Sequence, residues 1–200
     1  ASRGDSRAVG THDGASAAGD DRIIVGPGGA LLAAARGRPR PLRHSFDVAA
    51  STPSAGSPEQ REASVDVRTV IAVARGLTRA LAVLHERGKL HGRLRPDAVL
   101  FDRETSELVV TEASLAIDAP AGRALASTDA AIVRWQAPEM SGRTGHDADR
   151  SADLYSLGCI SYWLLTGHPP FARNDVLSLV HAHAAAAPVS FCERTSRAMY

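Results

Sequence analysis

Cysteine is almost missing from this chain: Cys159 and Cys192 are the only two in 200 residues, and they lie too far apart for a disulfide framework or a paired metal motif. A reducing, cytoplasmic setting is the expectation. An excess of either charge is missing as well, with 23 Lys and Arg against 22 Asp and Glu, so no overall field would recruit nucleic acid or an anionic membrane surface. No apolar run reaches bilayer-spanning length, and the opening Ala1 to Asp21 is small, polar and mixed in charge rather than basic and then apolar. Neither a membrane anchor nor a secretory signal is expected. A G-x-G-x-x-G phosphate loop is absent too; Gly26-Pro27-Gly28-Gly29 is a turn signal. What is there is 44% apolar and 22% charged, the balance of a folded domain. The chain opens without methionine and stops at Tyr200 with no closing pattern, and so reads as cut from something longer.

Residues 1–20 have the Ala, Gly, Ser and Asp composition of a disordered lead-in. The β-branched run Ile23-Ile24-Val25 predicts a strand, and Leu31 to Ala35 a helical turn. About 37–62 is filled with Pro, Arg, Ser and Gly and reads as a flexible insertion, where Arg36, Arg38, Arg40 and Arg43 are solvated. The strongest periodicity predicts a helix from about Val65 to Arg87, its apolar face at Val67, Val70, Ile71, Ala74, Leu77, Leu81 and Leu84, stopped by Gly88. Short strands are expected at Lys89-Leu90, Val99 to Phe101 and Leu108 to Thr111, with Asp102 to Glu107 as a hairpin turn. A second helix is expected at about Ala152 to Leu165, with an apolar face at Leu154, Leu157, Ile160, Ser161 and Leu164, and a third at about Asn174 to Ala186. The class is α+β, mainly α, with one domain over about 21–190 and a tail at 191–200.

Between the first helix and the strands stands His91-Gly92-Arg93-Leu94-Arg95-Pro96-Asp97-Ala98-Val99-Leu100, which resembles the catalytic loop H-R-D-L-x-x-x-N of eukaryotic-type protein kinases. Val110-Thr111-Glu112-Ala113-Ser114 then stands where that family has D-F-G, Trp135-Gln136-Ala137-Pro138-Glu139 resembles the A-P-E end of its activation segment, and Asp153-Leu154-Tyr155-Ser156-Leu157-Gly158 resembles the start of the long helix of its large lobe. Gly142-Arg143 and Leu179-Val180-His181-Ala182-His183 look most like the kinase-type module of hybrid sensor histidine kinases. The resemblance implies a kinase-like large lobe over about Ile23 to Ala187, with the small lobe largely absent and the phosphate loop, its Lys and their Glu partner upstream.

The same resemblance puts the wrong residues at the chemical positions. The aspartate that accepts or orients the proton of the attacking hydroxyl is replaced by Arg93, which has no acceptor and stays protonated. The metal-binding asparagine is replaced by Ala98, and the D-F-G aspartate by Glu112, one methylene longer. If a cofactor binds at all, the resemblance implies ATP with magnesium, held by Glu112 and by Arg95 at the position of a phosphate-facing Lys. His91, Pro96, Ala137, Pro138, Glu139, Asp153 and Gly158 match positions that build the lobe, with the arginine partner of Glu139 expected beyond Tyr200. Trp135 and Cys159 are expected to pack, and His181 and His183, two apart on a helix, to face different ways. The reading is therefore a pseudokinase acting as a regulatory or interaction module for protein partners or neighbouring domains. The alternatives are residual serine/threonine kinase activity, with Asp97 as substitute base, and a non-functional fragment.

Overall fold

The computed structural model describes residues 22–25, 40–42, 65–119 and 127–193. The expectations for residues 1–20, for Leu31 to Ala35, for most of 37–62 and for the end of the tail lie outside the described residues.

The helical periodicity before Gly88 becomes α1 (Val67–Glu86). Gly88 follows its end at a φ of 68°, a left-handed conformation that glycine adopts without a Cβ penalty. Val70, Val73, Leu77, Leu81 and Leu84 are buried as a stripe, but Val67 and Ile71, assigned by spacing to the same face, are 57% and 51% exposed. The reason lies at Gly76, where a Cβ would sit 3.1 Å from the Leu108 side chain. The helix approaches the sheet most closely on the side of Gly76, Val73 and Leu77, and this turns Val67 and Ile71 outward.

Strands β1 (Arg22–Val25), β2 (Arg40–Pro41), β4 (Val99–Phe101) and β5 (Leu108–Thr111) form one antiparallel sheet in the order β1-β5-β4-β2. β4 and β5 are the expected hairpin, with Val99 opposite Val110 and Asp102 Oδ1 accepting from the Glu104 and Thr105 amides in the turn. A second pair, β3 (Lys89–Leu90) with β6 (Ile117–Asp118), closes the loop beneath it. β2 corrects the reading of 37–62 as uniformly loop: Arg40 and Pro41 pair with Phe101 and Leu100, and Leu42 is fully buried. A two-residue edge strand containing proline has no periodicity to read.

The remaining helices are α2 (Ala130–Val133), α3 (Arg150–Thr166) and α4 (Val176–Ala185). Each begins at an aspartate whose side chain accepts a backbone N–H of the first turn: Asp129 from Ala131, Asp149 from Ser151, Asp175 from Ser178. α3 packs against α1, and Ile160, Trp163 and Leu164 join Leu77, Leu81, Phe101, Leu108 and Val110 in the main core. Its expected face is also rotated, since Leu154 is half-exposed while Asp153, Ser156 and Cys159 are buried. Neighbouring helical residues lie about 100° apart, so turning Asp153 inward turns Leu154 outward. Gly158 is exposed, and an added Cβ there would meet nothing within 4 Å, so no close packing among the described residues explains the glycine.

Candidate functional site

Asp153 organises the loop that carries the candidate site. It is 1% exposed, in the first turn of α3, and accepts three hydrogen bonds: from the His91 amide at 2.9 Å, from the Gly92 amide at 2.9 Å, and from His85 Nε2 at 2.8 Å. A buried carboxylate is tolerable because its lone pairs are filled this way. Gln136, from the segment ahead of Ala137-Pro138-Glu139, donates through Nε2 to the Gly92 carbonyl at 2.8 Å. Gly92 is thus bonded through both its N–H and its C=O while holding a φ of 69°.

His91 is fixed just as tightly. Its Nδ1 accepts from the Arg93 amide at 3.3 Å, so Nε2 carries the hydrogen and donates to the Thr111 carbonyl at 2.9 Å. Burial is the main cause that lowers its pKa below the ordinary histidine value, partly opposed by that carbonyl and by the nearby Asp153. A neutral ring with both nitrogens committed ties the loop to β5 and does no proton transfer.

Arg93, at the position of the base, projects an exposed side chain, and its guanidinium has no hydrogen-bond or ion-pair partner among the described residues. Ala98 is fully buried in the 3₁₀ turn Pro96–Ala98; its amide donates to the Arg95 carbonyl at 3.0 Å and its carbonyl accepts from Thr111 Oγ1 at 3.1 Å. Asp97 lies half-buried in the same turn.

Arg95 and Glu112, read from the sequence as holding phosphate and magnesium, hold each other. Arg95 Nη1 donates to Glu112 Oε2 at 2.9 Å and Nη2 to Oε1 at 2.5 Å, a two-pronged pair in which the side chains are 18% and 26% exposed. Arg95 also donates to the Arg93 carbonyl at 3.3 Å, and Glu112 sits at a φ of 63°. Both carboxylate oxygens face a guanidinium, and the other metal position is a methyl group. The donor set at these two positions does not fit a magnesium ion, which requires several hard oxygens in near-octahedral array. Among the described residues no group of three or more His, Cys, Asp or Glu could hold a metal ion.

Ala137 is buried, and Pro138 and Glu139 are half-buried at the start of the 3₁₀ turn Pro138–Ser141; Glu139 forms no ion pair among the described residues. Trp135 packs edge-on against Trp163, with ring centroids 6.0 Å apart. Cys159 is buried, and its thiol is pushed up to about 12, so it stays protonated and unreactive. His181 is exposed and His183 buried, the latter within 2.8 Å of Tyr155 Oη through Nδ1. Sequence reasoning left His85, Gln136 and Thr111 without roles. The signal for the first two was a polar residue where the surrounding pattern is apolar; nothing local marked Thr111, which acts through its backbone carbonyl.

Comparison with known proteins agrees with this architecture. Residues 53–197 match the protein kinase domain family, and the chain belongs to it. It is similar to the serine/threonine-protein kinase PknB of Mycobacterium tuberculosis, 27% identical over 130 residues, which is 64% of this chain and 20% of that protein. It is also similar to the inactive serine/threonine-protein kinase PLK5 of Mus musculus, 38% identical over 102 residues, 49% of this chain and 16% of that protein. The hybrid signal transduction histidine kinase G of Dictyostelium discoideum is 49% identical over 51 residues, 26% of this chain and 2% of that protein. The matched part spans a fifth or less of the length of each of these relatives. Among the described residues no helix is long and apolar enough to cross a membrane.

Proposed function

We propose that this chain is a catalytically impaired protein kinase domain that serves as a regulatory or interaction module of a signalling protein, working in the cytoplasm on protein partners or neighbouring domains. The observation that carries the reading is the state of three positions at once. Arg93 offers a permanent cation where phosphoryl transfer uses an anionic acceptor, Ala98 offers no metal ligand, and Glu112 is engaged by Arg95 through both oxygens. Loss of a positioned base alone costs about 10²–10⁴ in rate. The bonds that shape the loop, from Asp153, His91 and Gln136, are intact, which supports selection for the fold rather than the reaction. That one relative is named inactive and another a hybrid histidine kinase is in keeping with a domain used for regulation inside a longer protein.

The test is incorporation of labelled phosphate from ATP with Mg²⁺ or Mn²⁺ into the chain itself and into a basic carrier protein. The expected result is no transfer above background for the wild type. Transfer by the wild type that Glu112→Ala removes would overturn the reading. A thermal-shift titration with ATP treats nucleotide binding separately, and no magnesium-dependent shift is expected.

A further inference from the structure

The outer side of α1 carries a feature that neither the fold nor the catalytic loop uses. Val67 and Ile71 are more than half exposed, and the same line continues through Ala74, Thr78 and Ala82. At 100° per residue these five fall within about 80° of one another around the helix. Thr78 donates its hydroxyl to the Ala74 carbonyl at 2.9 Å, so that polar group is satisfied within the helix. Ile71, Ala74, Arg75, Thr78 and Arg79 line a shallow depression of about 350 Å³. Arg68 and Arg75 run along one flank of the line, and neither has an ion-pair partner among the described residues. The helix has no carboxylate before Glu86.

We propose that this face docks an amphipathic helix of a protein partner, one that sets aliphatic side chains on Val67, Ile71 and Ala74 and carboxylates against Arg68 and Arg75. The charges select this occupant. A second copy of the chain, paired face to face and antiparallel, would set Arg75 close to its own counterpart, with Glu86 at the far end of the flank the one carboxylate of the helix to offset the arginines. An anionic membrane would meet the cations but find only Val67 and Ile71 as large side chains to insert, with no aromatic residue on the face. The inference does not rest on the loss of catalysis, since the face lies on a different side of α1 from the buried stripe that supports the loop.

The experiment uses the whole chain and a fluorescein-labelled, stapled helical peptide with Leu at alternate third and fourth positions and Glu along one flank, read by fluorescence anisotropy. Binding is expected, weakened about tenfold or more by Ile71→Glu and by the Arg68→Glu, Arg75→Glu pair. It should return when that charge-reversed pair meets a peptide carrying Lys in place of Glu. Val67→Gln, a milder change, should weaken binding less. All four side chains are exposed, so unchanged unfolding midpoints will show that the variants are folded. Failure of the wild type to bind, binding indifferent to Ile71→Glu, or no recovery with the Lys peptide would overturn the proposal. So would tighter binding to phosphatidylserine vesicles than to the peptide, or self-association that Ile71→Glu abolishes.

Discussion

Removal of the Asp153 carboxylate is the sharpest perturbation of the loop that the structure offers. Asp153→Ala would strip the acceptor from two buried backbone amides, those of His91 and Gly92, and from His85 Nε2, all within 2.9 Å of it now. Each buried donor left unsatisfied costs about 1–3 kcal/mol, and water admitted to the small space vacated returns part of that. The net loss should be about 3–5 kcal/mol, a large fraction of the roughly 5–15 kcal/mol that holds a domain folded. For a chain of this size it amounts to about 10 °C in unfolding midpoint. Asp153→Asn keeps one acceptor oxygen but presents N–H groups to a donor-rich site, so it should lose less than the alanine but well over half as much. Urea unfolding followed by tryptophan fluorescence suits the question, because Trp135 and Trp163 are both buried and stacked edge to face, and Trp163 lies on the helix that carries Asp153. If Asp153→Ala lost less than about 1 kcal/mol, the loop would not depend on this carboxylate, and the account of the candidate site would fail.

Three further outcomes follow from the same geometry. A double-mutant cycle with Arg95→Met and Glu112→Gln should give a coupling of about 1–2 kcal/mol, above the value of an exposed pair because the side chains are largely shielded and doubly bonded; a coupling near zero would refute the locked pair. His91 and His183 are both held below the ordinary histidine pKa chiefly by burial, so the unfolded chain binds protons more readily below about pH 6.5. Stability should therefore be full above that pH and fall as acid is added toward pH 5, with a shallower fall in His183→Phe; a midpoint that rises on acidification in this window would contradict it. Gly88 and Gly92 share left-handed φ values of 68° and 69°, but an added Cβ is unobstructed at Gly88 and meets Ile117 at 3.2 Å and Met140 at 3.3 Å at Gly92. Alanine should cost about 1–2 kcal/mol at Gly88 and measurably more at Gly92, and equal losses in chemical denaturation would show that the crowding is relieved at no cost.

Much of the site was legible in one dimension because catalytic-loop residues lie close together in sequence. His91, Arg93, Arg95 and Ala98 fall within one short stretch, and the chemistry of each replacement follows from side-chain identity alone: a guanidinium cannot accept a proton and a methyl group cannot ligate a metal. The three longer helices were legible for a related reason, since hydrophobic periodicity and terminal glycines act over a few residues, while the four-residue α2 is too short to show a period. Other features were hidden. β2 is too short to show a period, and the exposure of Val67, Ile71 and Leu154 depends on how each helix is rotated against its neighbours.

Sequence alone determined the order of the three longer helices and of strands β1, β3, β4 and β5, the family and the absence of the usual acceptor at position 93, because these depend on residue identity and local spacing. Only the tertiary structure decided that Arg95 and Glu112 neutralise each other across seventeen residues of chain, that Asp153 reaches back to bind the loop, and that one apolar line of α1 is left facing solvent. Pairing of that kind is set by where packing brings distant segments together, and no local pattern encodes the distance between two side chains that meet only after the helices and the sheet have docked.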